Sequence, residues 1–220
     1  KGDRVCSMLP NSPEAVIAFL ATNSLGAIWT SCSPDFGTKS IIDRFSQIEP
    51  KVFIATNAYQ YNGRVFNKTN EIRSIQQAIP SIKNTLLLEY ISNIDTDLQC
   101  DIWGEIIKRE ETELQFKRVD FSDPIWILYS SGTTGKPKAI THSVGGILIE
   151  HYKALSLHQN VKPGDKFFWY STTGWMMWNY ATSALLAGGT VAIYDGSPAF
   201  PDSDILWSFA EKSQITHFGA

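Results

Sequence analysis

The sequence predicts an α/β fold in which mostly parallel sheets are flanked by helices. Short apolar runs of strand length alternate along the chain with amphipathic stretches of helix length, a pattern typical of parallel sheets covered by helices. The order turn, strand, helix, strand also occurs twice, once at the N-terminal end and once after residue 160. We therefore expect two partial α/β subdomains, at residues 1–120 and 121–220.

The first unit contains a strand, a helix and a second strand. Apolar residues predict a strand at residues 5–9, and Ser12 is suited to cap the helix that follows. Pro13 occupies the first helical position, and Gly26 ends the helix. The second strand is predicted at residues 27–31.

Two further pairs of helix and strand follow in the first half of the chain. Apolar residues at helical spacing predict a helix at residues 39–47, which Pro50 ends before a strand at residues 52–55. A helix at residues 71–79 and a strand at residues 85–89 repeat the plan.

The polar and charged stretch at residues 92–118 separates the two predicted subdomains. Its composition indicates a surface connection, interrupted by one short helix at residues 103–108. The apolar run at residues 124–129 then predicts a buried strand, so we place the subdomain boundary near residue 120.

The second unit follows the plan of the first. It consists of a strand at residues 167–171, a helix at residues 175–187 ended by Gly188, and a strand at residues 190–194. A last strand is predicted at residues 215–220, where the sequence stops. The sequence has no initial Met and stops within a predicted strand, so we expect it to be part of a longer protein.

Composition excludes several classes of protein. The 220 residues include 19 Lys and Arg against 22 Asp and Glu, a net charge of −3 without a basic cluster, which argues against nucleic-acid and membrane-surface binding. No apolar run reaches the ~18 residues that a membrane span needs. Cys6, Cys32 and Cys100 are widely spaced, which predicts neither a disulfide framework nor a thiolate metal site and fits the cytoplasm.

The segment with the clearest chemistry directly follows the strand at residues 124–129. It combines two glycines, which let backbone N–H groups approach an anion, with four hydroxyls and two lysines, which are the components of a phosphate-binding loop. The spacing differs from that of a P-loop, and the structural alternative is a flexible polar linker. The segment reads Ser130-Ser131-Gly132-Thr133-Thr134-Gly135-Lys136-Pro137-Lys138.

Together with Tyr129, this segment resembles the signature phosphate loop of the adenylate-forming enzymes, which include acyl-CoA synthetases, luciferases and peptide-synthetase adenylation domains. Ala139 stands where most members have glycine. That substitution is itself similar to the acetoacetate-activating branch of the acyl-CoA synthetases. Further segments similar to this branch are residues 9–12, 33–37, 43–47, 61–63, 141–146, 174–179 and 194–198.

The resemblance implies a fold and a reaction. The chain would be a fragment of the large N-terminal domain of an adenylate-forming enzyme, without the C-terminal lid domain. The enzyme would use ATP with Mg²⁺ to convert acetoacetate to an acyl-adenylate with release of pyrophosphate, and then exchange AMP for coenzyme A. Its partners would be these small molecules, with no nucleic acid and no membrane, and we expect a cytoplasmic monomer.

The resemblance also implies roles for individual loop residues. The ATP phosphates would bind at Ser130, Ser131, Gly132, Thr133, Thr134, Gly135, Lys136 and Lys138. Lys138 is in addition the candidate catalytic residue, because a fixed cation stabilises the charge that develops on the departing pyrophosphate. Lys136 is the weaker candidate of the two lysines, and Ser130 and Ser131 either position the loop or bind phosphate directly.

Two further sites follow from the resemblance. Trp175, Met176 and Met177 would form the acyl pocket, whereas their pattern alone also fits a core stripe, in which Trp175 and Trp178 share one helical face. Arg64, predicted in a loop before a helix, would bind a phosphate of coenzyme A. The alternative for Arg64 is a solvated surface arginine.

The histidines suggest no protein-built metal site. His142 either faces the nucleotide or is a hydrogen-bonded structural residue. His151, His158 and His217 lack metal-ligand spacing with a carboxylate or thiolate. We therefore expect Mg²⁺ to arrive with ATP.

Two alternative functions stay open at this point. One is another short-chain acyl-CoA synthetase, such as an acetyl-CoA or propionyl-CoA synthetase. The other is a catalytically silent nucleotide-binding or interaction fragment. The adenine, Mg²⁺ and lid-lysine motifs of the family are absent from residues 1–220, so we expect this fragment alone not to turn over ATP.

Overall fold

The computed structural model describes residues 1–109, 113–130 and 135–220. The strands within these ranges are, in chain order, β1 (Arg4–Met8), β2 (Ile28–Cys32), β3 (Val52–Thr56), β4 (Ala58–Tyr61), β5 (Arg64–Asn67), β6 (Asn84–Leu88), β7 (Asp101–Ile102), β8 (Pro124–Tyr129), β9 (Ala139–Ser143), β10 (Lys166–Trp169), β11 (Thr190–Val191) and β12 (His217–Gly219). The α-helices are α1 (Pro13–Ser24), α2 (Thr38–Phe45), α3 (Thr69–Ala78), α4 (Trp103–Ile106), α5 (Val144–Lys153), α6 (Met176–Thr182) and α7 (Ile205–Ser213).

Seven of these strands form one sheet in the order β7-β6-β3-β1-β2-β8-β9. Its neighbours are parallel except for the antiparallel pair of β8 and β9. The predicted fold class, mostly parallel sheets flanked by helices, is thereby confirmed. The sheet extends past residue 120, because β8 pairs with β2 at Trp126 and Trp29, and the division into subdomains stays a prediction.

A second, smaller sheet has the order β11-β10-β12, and all its strands are parallel. The chain enters it through a π-helical turn at Ala154–His158 that directly continues α5. A 3-10 turn at Ser183–Ala187 continues α6 and ends at Gly188, whose φ of 77° is left-handed. Glycine is favoured at such a helix end because it carries no Cβ.

The seven-stranded sheet is buried on both faces. Successive side chains of a strand point to opposite faces, so Val5 packs in the core beside α1, whereas Cys6 packs in the core beside α2 and α3. Phe19 of α1 and Phe45 of α2 are buried in these two cores. The central strands are buried on both faces, and besides their apolar residues they bury the small polar side chains of Ser7, Thr30 and Ser31.

The structure corrects the predicted loop around Arg64. Residues 58–67 form an antiparallel hairpin of β4 and β5, in which Tyr61 pairs with Arg64. The turn residues Asn62 and Gly63 have φ values of 49° and 71°. Positive φ at both central positions is the reason for Asn-Gly in two-residue hairpin turns, so this dipeptide was a usable signal that the prediction missed.

The structure also corrects the expected helical stripe. Trp175 precedes α6 with extended backbone and is 61% exposed, whereas Trp178 lies inside α6 and is 3% exposed. The two tryptophans therefore do not share a buried face, because helical spacing applies only after residue 175. No helix in the described ranges has the length and apolarity needed to cross a bilayer.

Candidate active site

The candidate phosphate loop connects β8 to β9 and so forms the tip of an antiparallel hairpin. It begins where β8 ends, at the carboxyl edge of the parallel strands, which is the usual ligand edge of an α/β sheet. Four of the predicted phosphate-binding residues, Ser131, Gly132, Thr133 and Thr134, lie outside the described residues. The described part of the loop consists of its two arms, Ser130 on the incoming side and residues 135–138 on the outgoing side.

Ser130 and Lys138 close the base of the loop. The Ser130 N–H donates to the Lys138 carbonyl at 3.0 Å, and the Lys138 N–H donates to Ser130 Oγ at 3.3 Å. The hydroxyl of Ser130 thus accepts from the loop itself, which favours the positioning role for this residue. Gly135 has a φ of 109°, a conformation that residues with a Cβ rarely adopt.

The two lysines of the loop have different surroundings. Lys136 Nζ lies 3.4 Å from an Asp43 carboxylate oxygen, and its side chain is 71% exposed. The Lys138 residue is also exposed, and no carboxylate of the described residues lies within ion-pair distance of its amino group. The charge of Lys138 is therefore the one better suited to an incoming anion.

His142 lies on β9, beside the loop, and its ring is held by β8. Trp126 Nε1 donates to His142 Nδ1 at 2.9 Å, and the two rings meet edge to face with centroids 6.2 Å apart. Because Nδ1 accepts this bond, the neutral ring carries its proton on Nε2. The arrangement favours the structural role of His142 over the nucleotide-facing one.

The candidate acyl segment is anchored to the ends of β1 and β2. Thr173 Oγ1 donates to the Leu9 carbonyl at 2.8 Å, and Ser31 Oγ donates to the Thr173 carbonyl. A Cβ on Gly174 would lie 3.0 Å from the backbone nitrogen of Ser33, so glycine permits this close approach. Since β2 is the neighbour of β8, the segment contacts the end of the strand adjacent to the one that leads into the phosphate loop.

The predicted acyl-pocket residues differ in burial. Trp175 and Met176 are 61% and 43% exposed, and Met177 is half-buried. Trp178, which directly follows them, is buried and donates from Nε1 to Asn11 Oδ1 at 2.9 Å. The segment therefore combines a fixed, buried end with an accessible apolar end.

Arg64 lies on the exposed strand β5. An open cleft of about 490 Å³ adjoins the hairpin, lined on one side by Tyr61 and Gly63 and on the other by Tyr90 and Asp195, while Arg64 is not among its lining residues. The described residues contain no group of three or more His, Cys, Asp or Glu side chains arranged to hold a metal ion. The three cysteines are free thiols.

Comparison with known proteins identifies the family of the chain. The profile described as "AMP-binding enzyme" matches residues 1–220. The chain belongs to the AMP-binding enzyme family.

The most informative relatives of this family member share one name. An acetoacetyl-CoA synthetase of Gallus gallus is 42% identical over 227 residues, covering 99% of this chain and 34% of that protein. An acetoacetyl-coenzyme A synthetase of Rhizobium meliloti is 40% identical over 224 residues, covering 99% and 34%. The chain thus spans about a third of the length of the curated relatives it matches.

A solved structure supports the same relationship. The acetoacetyl-CoA synthetase from Streptomyces lividans superposes with a TM-score of 0.94 at 45% sequence identity, covering 99% of this chain and 33% of that chain. The predicted resemblance to this branch is confirmed, and so is the prediction that the fold is a fragment of an adenylate-forming enzyme.

Sequence reasoning missed the polar residues that join the two larger sheets. Asn11 Nδ2 donates to the carbonyls of Ser171 and Tyr194 at 3.3 and 3.1 Å. The Asn11 N–H donates to Asp195 Oδ1 at 3.4 Å, and the Tyr90 hydroxyl donates to Asp195 Oδ2 at 3.0 Å. The available signal was a polar residue shortly after a buried strand, since Asn11 comes three residues after the end of β1.

Proposed function

We propose that the intact protein is an ATP-dependent acid-thiol ligase that converts acetoacetate to acetoacetyl-CoA. The observation that carries the proposal is a sequence identity of 40–45% to acetoacetyl-CoA synthetases over 99% of this chain, a range that includes the candidate phosphate loop. Because the chain covers about a third of those relatives, the activity is proposed for the intact protein and not for residues 1–220 alone.

The proposed first step forms an acyl-adenylate. A carboxylate oxygen of acetoacetate attacks the α-phosphorus of ATP, and the bond between the α-phosphorus and pyrophosphate breaks. Negative charge then grows on the departing pyrophosphate, where Lys138 and the loop donors stabilise it. Mg²⁺ bound to ATP would supply further positive charge at the phosphates, and the described residues offer no cluster of three or more His, Cys, Asp or Glu side chains to hold it. Ser130 keeps the base of the loop closed through its contact with the Lys138 N–H.

The second proposed step transfers the acyl group to coenzyme A. The thiol loses its proton to solvent, its sulfur forms a bond to the acyl carbonyl carbon, and the bond from that carbon to the AMP phosphate oxygen breaks, so AMP leaves with the electron pair. Arg64 is the proposed contact for a phosphate of coenzyme A, because a guanidinium is charged at all physiological pH values and suits phosphate geometry. Its exposed position on β5 supports access of a large ligand.

Trp175, Met176 and Met177 are the proposed acyl-pocket residues. Their segment is anchored against the end of β2, the strand next to β8, and methionine adapts to ligands of different shape. Acetoacetate is short, so a few such side chains are enough to contact it. We further propose that the protein acts in the cytoplasm as a monomer on small-molecule substrates.

The decisive experiment measures pyrophosphate release by the intact protein over a panel of acids. We expect acetoacetate to be used with a higher kcat/KM than acetate or propionate, and Lys138→Ala to lower that value by a factor on the order of 10² to 10³. Preference for acetate or propionate would reassign the protein to another short-chain acyl-CoA synthetase. Absence of release with every acid would support the silent nucleotide-binding alternative.

A further inference from the structure

The C-terminal end of α2 and the turn that follows it contact both sides of the phosphate loop. On the incoming side, the hydroxyl of Tyr129, the last residue of β8, donates to the Arg44 carbonyl at 2.9 Å. On the outgoing arm, Gln47 Nε2 donates to the Pro137 carbonyl at 2.9 Å. The partners of the first contact are 85 positions apart in the sequence, and those of the second are 90 positions apart. One helix end therefore supports both sides of the hairpin tip.

The Gln47 contact acts on the peptide plane that leads into Lys138. The Pro137 carbonyl and the Lys138 N–H belong to one planar peptide unit. Gln47 holds the oxygen of this plane, and Ser130 Oγ holds its N–H at 3.3 Å. A planar unit held at both ends cannot rotate freely, so the direction in which Lys138 leaves the backbone is set by these two contacts.

The Gln47 side chain is itself well positioned for this task. Its residue is exposed, but it stands between the buried Phe45 and Ile48, which anchor the backbone on either side. Its Nε2 group also donates to the Asp43 carbonyl at 2.6 Å. The amide is therefore fixed to α2 before it reaches Pro137.

The neighbouring ion pair adds little to this arrangement. Lys136 and Asp43 approach to 3.4 Å, but the lysine side chain is 71% exposed. Exposed pairs contribute little because water screens them and the two long side chains lose rotamer freedom. The hydrogen bond to Pro137 is thus the contact that most directly controls the outgoing arm.

We propose that Gln47 is a positioning residue that orients Lys138 through the Pro137–Lys138 peptide plane. The proposal rests on the proposed function for the role of Lys138 in pyrophosphate release, while the tether itself is independent of that function. A glutamine that only makes a solvent-exposed surface contact would affect neither the outgoing arm nor catalysis.

The kinetic test uses Gln47→Met in the intact protein, which keeps the side-chain length and removes the donor. The matched control is Gln77→Met, at an exposed position of α3 on another part of the sheet surface. We expect Gln47→Met to lower kcat/KM for ATP in pyrophosphate release roughly five- to tenfold, because the plane keeps its second contact to Ser130 and Lys138 is misplaced only in part. We expect Gln77→Met to match the wild type.

A double mutant separates positioning from a general structural effect. If Gln47 acts through Lys138, adding Gln47→Met to Lys138→Ala should lower kcat/KM by less than about twofold, because the charge to be oriented is already missing. Equal losses in both backgrounds, or no loss in the wild-type background, would overturn the proposal.

Hydrogen exchange of the ligand-free intact protein tests the tether without any turnover. We expect a peptide covering residues 135–141 to exchange faster in Gln47→Met than in the wild type or Gln77→Met. The reason is that the peptide plane carrying the Lys138 N–H is no longer held at its oxygen. Unchanged exchange would refute the tether. If the wild type releases no pyrophosphate, the proposed function fails, and this measurement still decides the role of Gln47 in the loop.

Discussion

The strands β1 and β8 lie on either side of β2. The hydrogen bonds that hold the chain at the end of β1 come from buried side chains, whereas those at the end of β8 are exposed to solvent. After β1, the buried side chains of Thr173 and Trp178 form hydrogen bonds with Leu9 and Asn11. After β8, the hydrogen bonds of the loop base involve exposed groups that water can reach. We call the first region the β1 junction (Leu9, Asn11, Thr173, Trp178) and the second the loop base (Ser130, Pro137, Lys138).

The difference between these regions follows from the energetics of polar groups. A buried donor or acceptor that loses its partner costs about 1–3 kcal/mol, whereas an exposed group exchanges its partner for water at little cost. The β1 junction is therefore suited to hold two sheets in one arrangement. The loop base is suited to exchange its contacts when the proposed phosphate ligand binds, so substitutions there should change kinetics more than stability.

Trp178→Ala should produce the largest loss of stability. Trp178 is 3% exposed, packs edge to face with Phe19 at 5.8 Å and donates to Asn11, so its removal leaves a cavity and an unpaired acceptor. We expect the intact protein to lose about 3–5 kcal/mol of unfolding free energy, measured by urea unfolding followed by circular dichroism.

Trp175→Ala is the matched control for that measurement. Trp175 lies three residues before Trp178 but is 61% exposed, so its truncation should change the unfolding free energy by less than about 0.5 kcal/mol. Similar losses for the two variants would show that the β1 junction does not depend on the burial of Trp178.

Sequence reasoning predicted the central sheet well because its signals are local. The strand at residues 124–129 was predicted with the observed ends, and β1, β2, β3 and β6 were predicted within one residue at each end. All of these strands are apolar runs bounded by turn residues. Strand β9 was missed because its first three residues are exposed and only its pairing with β8 makes it a strand.

The candidate site was predictable in composition but not in its supports. The phosphate loop is a continuous segment, so its residue types could be read directly. The contact between Gln47 and Pro137 spans 90 residues, and the contact between Asn11 and Trp178 spans 167. Such pairs depend on the order of strands in the sheet, which the local pattern of residues does not contain.

The buried His151 gives the second largest expected effect, through pH. It lies near the C-terminal end of α5, where its Nδ1 is 2.8 Å from Ser183 Oγ, and burial lowers its pKa from 6.5 to about 4. The unfolded chain therefore takes up a proton at a pH at which the folded protein does not. Stability should be retained above pH 6.5 and fall as the pH drops towards 4, by up to roughly 3 kcal/mol.

Comparing His151→Gln with His158→Gln isolates this contribution. Glutamine does not titrate, so His151→Gln should flatten the dependence of the urea midpoint on pH between 4 and 6.5. His158 is exposed, and its replacement should leave the slope of the wild type. A slope that is the same in all three proteins would assign the acid sensitivity to other groups.

Ser130→Ala should have a smaller effect, confined to kinetics. The substitution removes the oxygen that accepts from the Lys138 N–H at 3.3 Å, in a position where water can replace it. We expect kcat/KM for pyrophosphate release to fall roughly fivefold, equivalent to about 1 kcal/mol, with an unchanged urea midpoint. Ser24→Ala, which removes a hydroxyl bound to the Ala21 carbonyl on α1, is the control. A loss of stability in Ser130→Ala would mean that the loop base behaves like the β1 junction.

Lys136→Ala should have the smallest effect on stability and turnover, although Lys136 lies only two residues from Lys138. Lys136 contacts Asp43 at 3.4 Å with 71% of its side chain exposed, whereas no carboxylate of the described ranges pairs with Lys138. Since an exposed ion pair contributes little, we expect less than about 0.5 kcal/mol in stability and less than about twofold in kcat/KM. Raising the salt concentration should affect Lys136→Ala and the wild type alike. If Lys136→Ala instead lowered turnover as much as Lys138→Ala, both lysines would contact phosphate, and the ion pair with Asp43 would have to open when ATP binds.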